Sequence, residues 1–339
     1  MDSMLGLGSL SFESGLTDDE KKLLYLRARA TGLTFCGCAH AAFVCELIHS
    51  LRCNIRGHTA VTGAPADDAD LSVGVLGMGH LGKQLLLGLL ENTSIKPPQI
   101  KVSTRNPESA AEHLPKGVEC FFNNGRLAAR ADILFLCCLP SHLPKVCADL
   151  RSHLSKRCLV YSFASAVPVS RLAELLGHDF IVKPQYEFPT CDSGDVWLSC
   201  PRLGSAWKDP LLIEASCPLT TKGGITLGLS WVCAVLYSLL NVCTSAGLGS
   251  SLALSLINNM FQDKWTNSVQ LNVKSFISSA CAAVLLSDAS FPWIPLTDAQ
   301  TRDTPLLRFL SSSRPMQQGI AAVYKSHMER GLKRDFSPS

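Results

Sequence analysis

The sequence predicts an α/β fold: a parallel sheet domain wrapped by helices, followed by an all-helical domain and preceded by a helical amino-terminal extension. Three observations lead there. Between residues 71 and 182 short apolar or β-branched runs alternate with helix-length segments, the pattern of βαβ units. A glycine-rich turn, Gly77-Met78-Gly79-His80-Leu81-Gly82, joins the first such run to the first such helix. From about Pro210 strand signals thin out, and Gly223 to Gln262 contains no charged residue. The expected divisions are an extension and linker over 1–70, the sheet domain over 71–209, the helical domain over 210–330 and a polar tail over 331–339.

Taken in order, Thr17-Asp18-Asp19-Glu20 reads as a capping box opening a helix from Asp18 to Ala30. A second helix is expected from Thr34 to Arg52, and Asn54 to Asp70, with Gly, Pro and Asp, reads as a linker. Strands are expected at Leu71–Leu76, Ile100–Thr104, Val118–Phe122, Ile133–Leu139, Cys158–Phe163 and from Phe180 to Val182. The unbroken apolar run Ile133–Leu139 suits a strand buried on both faces. Helices fall between them at Leu81–Leu90, Pro107–His113, Gly125–Arg130, Ser141–His153 and Val169–Leu176.

Composition narrows the class. A chain of 339 residues, 47% apolar and 17% charged, is too apolar for disorder. A net charge of +3 gives no electrostatic reason to invoke nucleic acid. Fifteen cysteines, an odd number spread along the chain, read as buried reduced thiols and not as a disulfide framework. Met1 to Glu20 has acidic residues and no basic one, unlike a secretory signal or a transit peptide, so a cytoplasmic location is expected.

The turn carries the chemistry. Gly77 permits a tight exit from the strand, Gly79 lets a pyrophosphate approach the backbone, and Gly82 allows close packing, while the amides opening the helix at His80 and Leu81 face the phosphates. Strand, turn and helix together make this a Rossmann-type dinucleotide-binding motif, with Met78 inside it. The second strand ends in Ser103-Thr104-Arg105-Asn106, with no acid before Glu108. An NAD site places an acidic residue there, whereas Arg105, helped by Ser103, Thr104 and Asn106, suits a 2′-phosphate, so NADP(H) is the expected cofactor. Ligands lie beyond the carboxyl ends of parallel strands, which brings Cys138, Leu139 and Pro140, and Ala164 after the next strand, toward the ribose and nicotinamide. Without a ligand the same residues are a tight turn, a solvated arginine and connecting loops.

These residues resemble the pyrroline-5-carboxylate reductase family. The likeness is carried by Val73 to Gly82, by Ala131-Asp132-Ile133-Leu134-Phe135-Leu136-Cys137-Cys138-Leu139-Pro140, and by Leu159 to Val167, and it covers about residues 71–190. The resemblance implies an NADP(H)-dependent oxidoreductase acting on a small cyclic imine, as in proline biosynthesis, with helices of the carboxyl-terminal domain interlocking two subunits into a homodimer. The chain departs from the family pattern at Lys183-Pro184-Gln185-Tyr186-Glu187-Phe188-Pro189, where Glu187 falls near a family Asn. It also has Leu139 for Lys and Ala166 for Gly. Ser278-Ser279-Ala280-Cys281-Ala282-Ala283 stands where the family has a Ser-Pro-Gly-Gly-Thr-type substrate segment. No catalytic residue carries over, which leaves a second reading open: an NADP(H)-binding sensor or scaffold with an impaired substrate pocket.

Other constellations weigh less. Cys36, Cys38, His40 and Cys45 lack zinc-site spacing and read as core, so no metal is expected. Lys183 and Tyr186 are candidate proton donors near the nicotinamide. Ile225 to Ala246 is long enough to span a bilayer but lacks basic flanks and aromatic belts, so it reads as a dimerisation helix that one copy alone would struggle to bury.

Overall fold

The capping box at Thr17 forms: its hydroxyl accepts from the Glu20 N–H at 3.3 Å while the Glu20 carboxylate accepts from the Thr17 N–H at 2.8 Å. The helix it opens is much longer than the pattern suggests. In the computed structural model, which describes residues 15–62, 70–112, 114–189, 196–198, 206–262 and 270–334, α1 runs unbroken from Asp18 to Thr62, 45 residues. It replaces the two helices expected there and takes in Asn54 to Thr62, expected as linker. No proline interrupts this stretch, and Gly32, Gly37 and Gly57 lower helix propensity without blocking the ladder. The remainder of the expected linker, 63–69, lies outside the described residues.

The sheet follows the alternation. Strands β1 (Val73–Leu76), β2 (Ile100–Ser103), β3 (Glu119–Phe121), β4 (Ile133–Leu136), β5 (Leu159–Ser162) and β6 (Ile181–Val182) form one parallel sheet in the order β3-β2-β1-β4-β5-β6. The strand order reverses between β1 and β4, and this switch point is where an open α/β sheet leaves a crevice. Between the strands lie α2 (His80–Asn92), α3 (Pro107–Ala111), α4 (Asn124–Arg130), α5 (Leu143–Arg151) and α6 (Val169–Leu176). β4 stops at Leu136, three residues short of the expected Leu139, because Pro140 begins a 3-10 turn, Pro140–His142, that leads into α5.

The two faces of the sheet are covered differently. Leu134, Leu136, Val160 and Ile181 pack with residues of α4, α5 and α6. On the opposite face Val73, Val75, Phe135, Tyr161 and Val182 join a larger core containing α2 and residues 35–55 of α1. Ion pairing and hydrogen bonding hold α1 there. Arg52 meets Asp132, just before β4, at 2.9 Å, and the buried Glu46 carboxylate accepts from Ser94 N–H at 2.6 Å and Ser94 hydroxyl at 2.9 Å. At the other end a Cβ on Gly37 would stand 3.3 Å from the Phe163 ring, just beyond β5. The helix therefore crosses the sheet from its carboxyl edge at Gly37 to its amino edge at Arg52, a rise of roughly 22 Å at 1.5 Å per residue.

A short antiparallel ribbon, β7 (Tyr186–Glu187) with β8 (Thr226–Leu227), connects the sheet to the helical half. That half comprises α7 (Pro210–Ala215), α8 (Leu229–Ser245), α9 (Ser250–Phe261), α10 (Val273–Phe276), α11 (Ser279–Val284), α12 (Leu296–Thr301), α13 (Pro305–Ser312) and α14 (Arg314–Arg334). The uncharged stretch centres on α8, which is 17 residues long and not the 22 of Ile225–Ala246. It packs against α1, α9, α12 and α13 of its own chain. Its interior positions from Trp231 to Asn241 are buried, and the Asn241 amide both donates to and accepts from the Ile294 backbone, at 2.7 and 3.0 Å. The argument that only a second copy could bury this stretch therefore fails, because α1 does much of that covering. Among the described residues the one helix long and apolar enough to cross a membrane is α1 itself, over Asp18–Ala60, and 83% of its apolar window is buried against the rest of the protein.

If α1 is core and not appendage, its buried and exposed positions should behave oppositely. Phe43, 1% exposed, packs edge-on against Tyr324 at 5.2 Å, whereas Leu26 is 62% exposed. Phe43→Ala is expected to lower unfolding free energy by about 3–5 kcal/mol. Leu26→Ala should change it by less than about 0.5 kcal/mol. Denaturant unfolding of both variants checks this, and a small Phe43→Ala effect contradicts the packing described.

Candidate functional site

The glycine turn sits at the switch point. Gly77 leaves β1 with φ +98°, a left-handed conformation that L side chains rarely adopt, and its N–H donates to the Ser103 carbonyl at 2.9 Å. A Cβ on Gly82 would stand 2.0 Å from the Gly77 carbonyl oxygen, so a side chain there forces the turn open. Gly79 is different: nothing lies within 4 Å of a Cβ built on it. It is also the N-cap of α2 and offers no side chain to the first-turn amides. The outcome is a helix start with uncapped N–H groups beside open space, which suits an anion.

The side chains of the turn divide. His80 is exposed, whereas Met78 is buried and Leu81 packs on the core, so these two can offer only backbone to a ligand. At the end of β2 the four expected residues also separate. Arg105 and Asn106 are exposed, and Arg105 has no ion-pair partner among the described residues. Thr104 is half-buried and its N–H donates to Phe121 at 3.0 Å. Ser103 is not available as a donor: it is 1% exposed, and its hydroxyl donates to the Asn124 side chain at 2.8 Å while accepting from the Asn123 N–H. Its place on β2 points it inward toward α4, a consequence of strand parity that its polarity conceals. Beyond β4, Cys138 is half-buried while Leu139 and Pro140 are exposed; beyond β5, Ala164 is buried.

A second cluster occupies the inner face at the carboxyl half of β4 and β5, where α1 meets α8 and the ribbon. His40, on α1, is buried. Its ring contacts the Ser216 carbonyl at 2.8 Å through Nε2 and the Tyr186 hydroxyl at 2.9 Å through Nδ1. A carbonyl only accepts, so Nε2 carries the proton, and in the neutral ring Nδ1 accepts from the Tyr186 O–H. Burial pushes the His40 pKa down from its ordinary 6.5 to about 4, which keeps it neutral. The Ser216 hydroxyl donates to Ile213 at 2.8 Å, so the Tyr324 hydroxyl, 2.9 Å away, donates to it. Tyr161 on β5 and Trp231 on α8 complete the cluster; Trp231 lies 5.1 Å from the His40 ring.

Of the two expected proton donors, Tyr186 is thus half-buried and committed to His40, with burial holding its pKa well above the usual range. Lys183 follows β6, anchored through its N–H to the Gln300 side chain at 2.9 Å, and burial lowers its pKa. Glu187 is exposed on β7. Ser278–Ala283 forms the start of α11, with Ser278 capping Cys281 N–H and nearly every side chain in solvent. Cys36, Cys38 and Cys45 are buried with raised pKa values, and no group of metal-ligating side chains occurs among the described residues. Sequence reasoning set His40 aside with those cysteines and passed over Tyr161 and Trp231 entirely. An apolar helix and an apolar strand carry no signal for which polar group will face which.

Comparison with known proteins places the chain. The family described as NADP oxidoreductase, coenzyme F420-dependent, matches residues 72–165. A protein of Mus musculus, NADP-dependent oxidoreductase domain-containing protein 1, is 37% identical over 340 residues, covering 96% of this chain and 93% of the mouse protein. This chain belongs to that protein's family. The likeness to pyrroline-5-carboxylate reductases is confined to a part: the Escherichia coli (strain K12) enzyme is 37% identical over 108 residues, 32% of this chain and 40% of that enzyme. Among solved structures, a Plasmodium falciparum pyrroline carboxylate reductase with NADP bound covers 78% of this chain and 97% of its own, at 14% identity and a TM-score of 0.31. A Coxiella burnetii pyrroline-5-carboxylate reductase covers 79% and 99%, at 17% identity and a TM-score of 0.32. The likeness to the mouse protein covers α1 as well as the sheet, and the glycine turn lies within residues 72–165 that the family model matches.

The buried histidine makes stability pH-dependent. Between 6.5 and about 4 the unfolded chain takes up a proton that folded His40 refuses, so its contribution is full above 6.5 and is lost as pH falls through this window. The loss reaches at most about 3 kcal/mol at 1.36 kcal/mol per unit. Unfolding free energies measured at neutral pH and at about pH 4.5 should differ more in the native sequence than in His40→Gln; an equal difference removes His40 from this role.

Proposed function

We propose that the protein is an NADP(H)-dependent oxidoreductase that reduces a small cyclic imine or closely related electrophile. The observation that carries this is the turn at the switch point, where Gly79 faces open space between a left-handed Gly77 and a Gly82 that admits no side chain. The backbone amides of residues 80–82 would hold the pyrophosphate. Arg105, with Asn106 and Thr104, would take the 2′-phosphate. Cys138, Leu139, Pro140 and Ala164 line the way to the nicotinamide by their positions after β4 and β5. NADPH supplies a hydride when bound. The protein's part is to orient the ring, exclude water with the covering helices and deliver a proton, for which Lys183, with its lowered pKa, stands at the carboxyl end of β6.

The sensor reading draws support from α11: the segment expected to hold substrate is an exposed helix without the family's glycines. One set of measurements separates the two. NADPH should bind with fluorescence enhancement and more tightly than NADH, and Arg105→Asp should weaken NADPH at least tenfold, the loss of one charge-assisted contact of about 1.5–3 kcal/mol. NADPH oxidation with pyrroline-5-carboxylate supports the reductase. Tight NADPH binding with no oxidation supports the sensor, and equal affinity for NADH defeats the cofactor assignment.

A further inference from the structure

The glycine turn lies at the carboxyl edge of the sheet, and the amino edge has a cavity of its own. Its volume is about 670 Å3, within the range that holds a small organic ligand. Lys156 and Arg157 line it from the turn before β5, and His178 and Asp179 from the turn before β6. Ser245, the last residue of α8, and Trp293, just before α12, bring the helical half to it. Both turns precede their strands in a parallel sheet, so the cavity stands at the opposite end of the sheet from Gly77 and Gly79.

Most polar groups around this cavity are already committed. His178 donates through Nε2 to the Cys158 carbonyl at 2.8 Å, and burial lowers its pKa, so it brings no charge at neutral pH. The Ser245 hydroxyl donates to the Val242 carbonyl at 2.9 Å. The negative end of α8 is closed, because the Val242, Cys243 and Thr244 carbonyls accept from Ala246, Leu248 and Gly247. At the end of α6 the Gly177 and His178 N–H groups both donate to the Ala173 carbonyl, at 2.8 and 3.2 Å. Asp179 is the one acid lining the cavity among the described residues, and its carboxylate accepts from the Trp293 indole N–H at 3.4 Å. Two charges are left over. Lys156 and Arg157 are exposed, and neither has an ion-pair partner among the described residues.

Two adjacent cations alone are ordinary surface. Here they border a fixed aromatic wall. The Trp293 ring is half-buried, tilted against Phe180 at 4.9 Å, and tied by its N–H to Asp179. A flat apolar body suits the indole, and an anionic group suits the cations, since Arg157 can offer a forked contact and two positive charges face one acid. We propose that this cavity binds a small molecule made of a flat apolar body and one carboxylate or phosphate group, with the anion on Lys156 and Arg157 and the body against Trp293. The inference is independent of the reductase reading, because the cavity and the dinucleotide turn share no residue.

Calorimetric titration of the full chain tests this. Phenylacetate and phenyl phosphate serve as the anions, phenylacetamide as the neutral analogue, phenethylamine as the cation, and acetate as the anion without a ring. At least one of the two aromatic anions should bind about tenfold more tightly than the amide, the amine and acetate, and the better of the two names the anionic group. A double variant, Lys156→Gln with Arg157→Gln, should weaken that anion at least about tenfold, the loss of a charge-assisted hydrogen bond. Its melting temperature should stay at the native value, because both side chains are exposed and unpaired. Saturating NADPH should leave the affinity unchanged. The inference is overturned if neither aromatic anion binds, if the amide or the amine binds as well as the better anion, or if acetate does. Native affinity in the double variant overturns it too. So does loss of anion binding in the presence of NADPH, which assigns the anion to the dinucleotide crevice.

Discussion

The packing of α1 across the inner face of the sheet is the contact on which the other arrangements depend. From Phe35 to Leu51 nearly every side chain of this helix is buried, with Val73, Val75, Phe135 and Tyr161 of the sheet in the same core. Burial of apolar surface on this scale, at about 25 cal/mol per Å2, outweighs the low helix propensity of three glycines. Two of those glycines are also adjustments to it. A side chain at Gly32 would strike Trp197, and one at Gly37 would press on Phe163. The helix thereby joins the halves of the chain: α8 packs on it from one side and the sheet from the other.

That arrangement accounts for the apolar composition. Forty residues without a charge suggested a surface awaiting a partner, but helices of the same chain, α1, α9, α12 and α13, cover it. It also accounts for the buried polar cluster. A helix laid over the carboxyl half of β4 and β5 brings His40 within reach of Tyr186 and of the Ser216 carbonyl, residues 146 and 176 positions away. Desolvation then keeps the imidazole neutral, which fixes its tautomer and makes Tyr186 the donor. The same desolvation raises the cysteine pKa values and leaves these thiols unreactive packing groups.

Local signals were legible where local physics decides. The alternation of apolar runs and helices marked all six parallel strands, most plainly β1, β4 and β5, which are buried at every position and so are apolar almost throughout. The spacing of Gly77, Gly79 and Gly82 announced a turn whose conformation needs glycine at 77 and 82, since a positive φ and a 2.0 Å approach are backbone requirements. The capping box at Thr17 was equally readable. The continuity of α1 was not: Gly57 and the polar residues after Asn54 look like linker, and the ion pairs of Arg56 with Asp70 and of Arg52 with Asp132 join the helix to residues distant from it in sequence.

The sequence by itself determined the parallel sheet, the place of the dinucleotide turn and the arginine beyond β2, because each follows from periodicity or from backbone sterics within a few residues. The tertiary structure alone decided which polar side chains meet. Ser103 turned inward to Asn124, and His40 found Tyr186 and the Ser216 carbonyl. Those outcomes depend on how a helix, a strand and a ribbon distant in sequence are oriented against one another. Orientation is set by the packing of the whole core, to which no single stretch of residues carries the key.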